Sequence, residues 1–99
     1  MNKTNEDTTV REIYFKGWID SLKLERIDVH SVEKQPEGHY IATIYGGLNG
    51  PGSWEVYIRQ ICMIVDSLSG SWVIDLINDC LDDIWTLRLG FRLEDVKRK

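Results

Sequence analysis

Four carboxylates and one indole are the residues whose types and spacing could do chemistry here. Asp75, Asp79, Asp82 and Asp83 recur at helical spacing within residues 71–85, with Trp72 on the same projected arc. At about 100° per residue, Val73, Leu76, Ile77, Cys80 and Ile84 fill the opposite arc. A solvated helix face normally mixes both charge signs, yet no Lys or Arg occurs from Gly70 through Leu87. Carboxylates at i, i+4 spacing repel by roughly 0.2–0.5 kcal/mol per pair, and the cations of a partner would reverse that sign. Aromatic side chains inside charged rims are enriched at binding hot spots. The chemistry expected is therefore recognition of a basic protein surface by Trp72, Asp75, Asp79, Asp82 and Asp83. The plain alternative is a merely solvated helix side. Calcium is the weaker ligand, because rigid helical carboxylates lack the loop geometry that wraps it.

His30 and His39 are the candidates for proton transfer near neutral pH, each with a carboxylate close in sequence, Glu33 or Glu37. No Ser or Cys nucleophile stands beside them, so the polar set that a catalytic site requires is not recognisable. An enzyme is the third-ranked expectation. Residues 47–53, Gly-Leu-Asn-Gly-Pro-Gly-Ser, resemble a phosphate-binding loop in their glycines. They lack the lysine between the last Gly and the Ser, and Pro51 removes an amide donor. A plain strand-to-helix connection is the better reading. Cys62 and Cys80 cannot make a disulfide framework, and neither has a Cys or His at ligand spacing. Both are expected to be reduced and buried, with no metal and no cofactor.

The chain must position these residues with 99 amino acids, enough for one core and not two. With 42% hydrophobic and 28% charged residues it reads as an ordinary globular domain. The net charge of −4 disfavours nucleic acid as the main ligand, since phosphate binding needs clustered cations and these are scattered. The longest apolar run, residues 61–65, is far short of a bilayer span, and the polar N-terminus has no signal-peptide core. Cytoplasmic residence without membrane contact is the expectation.

Residues 1–8 read as a disordered tail, 9–94 as a single domain and 95–99 as a charged tail. Thr9 and Glu12 have the spacing of a capping box. Val10, Tyr14, Trp18 and Leu22 then recur every four residues, flanked by Phe15 and Ile19, in an amphipathic helix weakened by Gly17. Residues 26–34 and 39–45 carry β-branched and aromatic side chains around Gln-Pro-Glu-Gly, which predicts an antiparallel hairpin. A second helix is expected from Ser53, with Trp54, Ile58, Ile61, Val65 and Leu68 on one stripe. A third is expected from the cap at Ser71 to about Trp85. Trp85, Leu87, Leu89, Phe91 and Leu93 alternate with polar or small residues, which is strand periodicity. Its rival is a helix running on to Leu89 with Gly90 as C-cap. Gly-Ser-Trp occurs at residues 52–54 and again at 70–72, and coincidence explains it better than a duplicated helical unit.

The expected fold is α+β, in the order α-β-β-α-α-(β), with a small antiparallel sheet packed against three helices. Its core would be built on Trp18, Trp54, Ile58, Ile61, Cys80 and Ile84. The function expected is stoichiometric binding to a basic surface of a partner protein, an economy of size and charge shared by small inhibitors, immunity proteins and antitoxins. The alternative is a self-associating structural or adaptor subunit that closes an apolar patch as a homodimer.

Overall fold

The computed structural model describes residues 9–24, 26–47, 53–79 and 84–97, with the backbone alone for 53–57, 78 and 79. Helix α1 (residues 10–21) begins as a π-helical stretch, Val10–Phe15, and continues as the α-helical stretch Lys16–Ser21. The i→i+5 pattern of the first part brings Val10 and Phe15, five apart, onto one buried side with Trp18 and Ile19. The capping box does not form: Thr9 is already helical and makes no side-chain cap bond, and Glu12 pairs with Arg11 at 2.7 Å.

The expected hairpin is present as β1 (Ile27–Lys34) and β2 (Tyr40–Gly47). Its turn closes with the Gly38 N–H donating to the Gln35 carbonyl at 2.9 Å. Pro36 presets the turn, and Gly38 takes a φ of 104° that disfavours a side chain. Helix α2 (Ser53–Ser67) follows. It buries Gln60, Ile61, Ile64 and Leu68, a stripe rotated from the expected one, so Ile58 is exposed. Cys62 is exposed as well, against the expectation of a buried thiol. Ile84, also expected in the core, is exposed, because it falls at an outward position of a strand; the side chains of Trp54 and Cys80 lie outside the described residues, as do the glycines at 50 and 52.

The expected third helix is instead a strand, β3 (Trp72–Asp79). Ser71 does not cap a helix; its hydroxyl donates to the Leu68 carbonyl at 2.7 Å and closes the end of α2. Within residues 72–79, Trp72, Val73, Ile74 and Ile77 suit a pleated surface better than a helix, where β-branching restricts χ1. Strand β4 (Ile84–Phe91) is the expected last strand and excludes the rival helix to Leu89. Where the sequence suggests a charged tail from residue 95, a short helix α3 (Leu93–Lys97) forms and buries Val96.

The four strands make one antiparallel sheet in the order β1-β2-β4-β3. Tyr40, Ala42 and Ile44 of β2 and Trp85, Leu87, Leu89 and Phe91 of β4 point to one face. There they share a core with Val10, Phe15, Trp18 and Ile19 of α1, Ile61, Ile64 and Leu68 of α2, and Val96 of α3. Phe91 stacks between Phe15 and Tyr40, with ring centroids 4.9 and 5.7 Å away. Among the described residues no helix lies on the opposite face of the sheet. Among the described residues no helix is long and apolar enough to cross a membrane.

Each half of the chain is a helix followed by a hairpin of two eight-residue strands. The second strand of each hairpin lies centrally, and these two, β2 and β4, pair with each other. The helices end alike, in Ile19-Asp20-Ser21-Leu22 and Val65-Asp66-Ser67-Leu68. In each, the Ser hydroxyl donates to the carbonyl three residues earlier, Ser21 to Trp18 and Ser67 to Ile64. The Gly-Ser-Trp pair is not part of this likeness, because Trp54 lies in a helix and Trp72 begins a strand.

Two glycines test this packing in opposite directions. A Cβ on Gly17 would meet nothing within 4 Å, so Gly17→Ala is expected to stabilise by about 0.5–1 kcal/mol through the unfolded chain and helix propensity. A Cβ on Gly46 would fall inside the fully buried indole of Trp85. Gly46→Ala is expected to destabilise by about 1–3 kcal/mol or more. Urea denaturation of both variants checks the pair, and a stabilised Gly46→Ala would contradict the seam between β2 and β4.

Candidate protein-binding surface

The bulge in β3 decides which candidate residues share a face. Trp72 and Asp75 are three apart, so in an uninterrupted strand they would point to opposite sides. The register slips between Val73 and Asp75, leaving Ile74 as the extra residue. Trp72 therefore pairs with Gly90, Asp75 with Arg88, Ile77 with Thr86 and Asp79 with Ile84, all at positions of the helix-free face. Val73 and Leu76 pair with the buried Leu89 and Leu87 on the other face. Three of the five expected contact residues, Trp72, Asp75 and Asp79, thus keep a common side, by a bulge and not by a helical period. Asp82 and Asp83 lie outside the described residues, and of Asp79 only the backbone register is known.

The expected imbalance of charge changes once the chain is folded. Arg88, just beyond the cation-free stretch in sequence, stands directly across from Asp75 and donates from Nη1 to its Oδ2 at 3.0 Å. Both side chains are substantially exposed, so the pair is worth under about 1 kcal/mol. Its larger consequence is local neutralisation of Asp75.

Trp72 itself is held. Its indole lies across Gly90, where a Cβ would collide with the ring. One edge of it meets His39, ring centroids 5.3 Å apart at 55°. Around the pair opens a cleft of about 390 Å³ lined by Glu37, Gly38, His39, Trp72, Arg92 and Glu94. Three separate segments build it: the β1–β2 turn, the start of β3 and the link from β4 to α3. Sequence reasoning singled out Trp72 and His39 separately and missed Glu37, Arg92 and Glu94 as their neighbours. The available signal was the glycine at position 90 inside an otherwise apolar strand, which marks close approach by another group.

The cleft combines an aromatic wall, two carboxylates, one guanidinium and one imidazole. An ammonium or guanidinium could lie over the indole by cation–π attraction and pair with Glu37 or Glu94. Among the described residues its lining offers no hydroxyl or thiol nucleophile. His30, the other proton-transfer candidate, stands on the same face of the sheet near Tyr45, ring centroids 4.9 Å apart. Among the described residues no group of three or more His, Cys, Asp or Glu side chains could hold a metal.

Comparison with known proteins adds no relative: no family model, no curated protein and no solved structure matches this chain.

The two Trp–Gly pairs give a contrast. In Gly90→Ala the exposed indole of Trp72 can swing off the sheet, so the loss of stability is expected to stay below that of Gly46→Ala. The Trp72 indole N–H resonance should shift while those of the core remain. Equal destabilisation by the two substitutions would contradict the exposed position of Trp72.

Proposed function

We propose that this chain is a small protein-binding domain that covers a basic surface of a partner stoichiometrically, as inhibitors, immunity proteins and antitoxins do. The observation that carries the proposal is the partly exposed Trp72 indole, held over Gly90 and against His39 in a cleft with Glu37 and Glu94. An aromatic fixed before binding loses little side-chain entropy on docking, which is what a hot-spot anchor requires. A Lys or Arg of the partner would lie on Trp72 between the two carboxylates. Asp75 and Asp79 would extend the contact along β3, with Asp82 and Asp83 following in the chain. The net charge of −4 favours encounter with a basic surface.

A second reading rests on the same cleft. His39 shares it with Glu37 and Glu94, the arrangement a proton-transferring enzyme would need. The open cleft would leave such chemistry in contact with water, so binding is the reading the geometry favours.

Titration of isotope-labelled protein with a short Arg- and Lys-rich peptide tests the proposal. Shifts are expected to centre on the Trp72 indole, His39 and Glu94, to weaken with added salt, and to require the indole. Trp72→Ala should weaken binding at least about tenfold, some 1.4 kcal/mol. Asp75→Asn should also weaken binding, because it leaves Arg88 as an uncompensated cation facing a basic peptide. Shifts spread evenly over the surface, or unchanged affinity in Trp72→Ala, would contradict this assignment.

A further inference from the structure

The sheet ends in two edge strands that occupy equivalent places in the two helix–hairpin halves, yet they are built differently. β1 carries Asp28, His30, Glu33 and Lys34. Lys34 pairs with Tyr40 and so stands on the core side of the sheet, an inward charge at an edge. These are devices by which natural sheets discourage pairing with another chain. Each edge strand has a bulge, but β3 has no Lys or Arg and no charged side chain on the core side; its Asp75 and Asp79 lie at positions of the other face, and Asp75 is offset by Arg88. Its apolar side chains are open on both faces, Val73 at 45% and Leu76 at 41% exposure on the core side, Ile77 at 57% on the other. The helices cover the core side of β2 and β4 and leave that side of β3 bare. An edge that exposes both faces and a row of unpaired backbone groups is a template for one more strand.

From this asymmetry we propose that β3 pairs antiparallel with β3 of a second copy of this chain, joining two four-stranded sheets into one of eight strands. A second copy can meet the strand with the carboxylates kept apart in a register centred near its middle. Centring the two-fold on Asp75 sets Asp75 against itself, and centring it on Ile77 sets Asp75 against Asp79, both unfavourable. Centring it on Leu76 sets Leu76 against Leu76, Asp75 against Ile77 and Ile74 against Asn78, with no carboxylate facing another. From Asp75 to Ile77 this register keeps like faces together, so Leu76 of the two copies meet on the core side, where Leu76 is 41% exposed. The dimer leaves the Trp72 cleft on the other face open, so it does not depend on the partner-binding proposal above.

An eight-residue edge is about 27 Å long and buries an area at the low end of specific interfaces, below roughly 1,200 Å² in total. Association should therefore be concentration-dependent, and it should strengthen with salt, because two acidic chains are brought together. That is opposite in sign to binding of a basic partner, so the two proposals fail separately. Light scattering behind size exclusion, on the whole chain at loadings up to roughly 500 µM, a range suited to a small interface, reads the result. Wild type is expected to move from 11.5 kDa towards twice that mass. Leu76→Lys sets two ammonium groups against each other and should remain monomeric. Ile77→Lys sets a Lys against Asp75 of the second copy and should keep the dimer. Should Leu76→Lys fail to fold, Leu76→Cys with Cys62 and Cys80 replaced by Ser gives a second readout. Oxidation should crosslink that variant, while Ile77→Cys in the same background should crosslink at least about tenfold more slowly, because diagonal positions are farther apart. A wild type that stays monomeric throughout overturns the proposal, as does a dimer that persists in Leu76→Lys.

Discussion

The indole of Trp85 lies across Gly46 at the point where the two helix–hairpin halves of the chain meet. The contact needs both partners: a large apolar ring that no solvent reaches, and a facing residue with no side chain. Around it, β2 and β4 pair along their whole length and place Tyr40, Ile44, Leu87, Leu89 and Phe91 on one face. Those side chains are what the three helices pack against. If the seam slipped by one residue, every one of them would turn to the helix-free face, since side chains alternate with a period of two. The register of the central pair therefore fixes the core and, through the core, the position of every helix.

The same seam determines what is left over. With β2 and β4 central, β1 and β3 become edges, and the helices are wide enough for only part of the sheet. The β1 edge has a charged side chain on the core side, Lys34, whereas on that side the β3 edge has the partly exposed Val73 and Leu76. Trp72 over Gly90 repeats the arrangement of Trp85 over Gly46 on the other face of the sheet. There it faces solvent, beside His39 and between carboxylates. On the two proposals made above, this one strand would serve as an edge for a second copy and as a face with an aromatic anchor.

Much of this was legible in the sequence. The Pro36–Gly38 turn and its flanking branched residues mark the first hairpin. The alternation Trp85, Leu87, Leu89, Phe91 marks the last strand, because β4 is regular. β3 was not legible for a specific reason. The extra residue at Ile74 breaks the period of two after Val73, and the apolar residues that remain fit a helical arc. The acidic face inherited that error. Asp75 reads as unpaired in the sequence because its cation, Arg88, is distant along the chain and adjacent only across the ladder. In α2 the error was smaller: Ile58, Ile61, Val65 and Leu68 and the observed Ile61, Ile64 and Leu68 are neighbouring stripes of one helix. Choosing between them requires knowing where the sheet lies. The cleft around Trp72 joins residues from three segments, and no local pattern records such a meeting.

Hydrogen exchange at the amides of β3, followed as a function of protein concentration, tests the central claim that this strand is an open edge. In dilute solution every second amide from Asp75 to Asp79, beyond the bulge, should be protected by β4 and its neighbour should exchange freely, the signature of a strand paired on one side. As concentration rises, the freely exchanging set should become protected. Uniformly slow or uniformly fast exchange in dilute solution, or an alternation that persists at every concentration, would contradict the account.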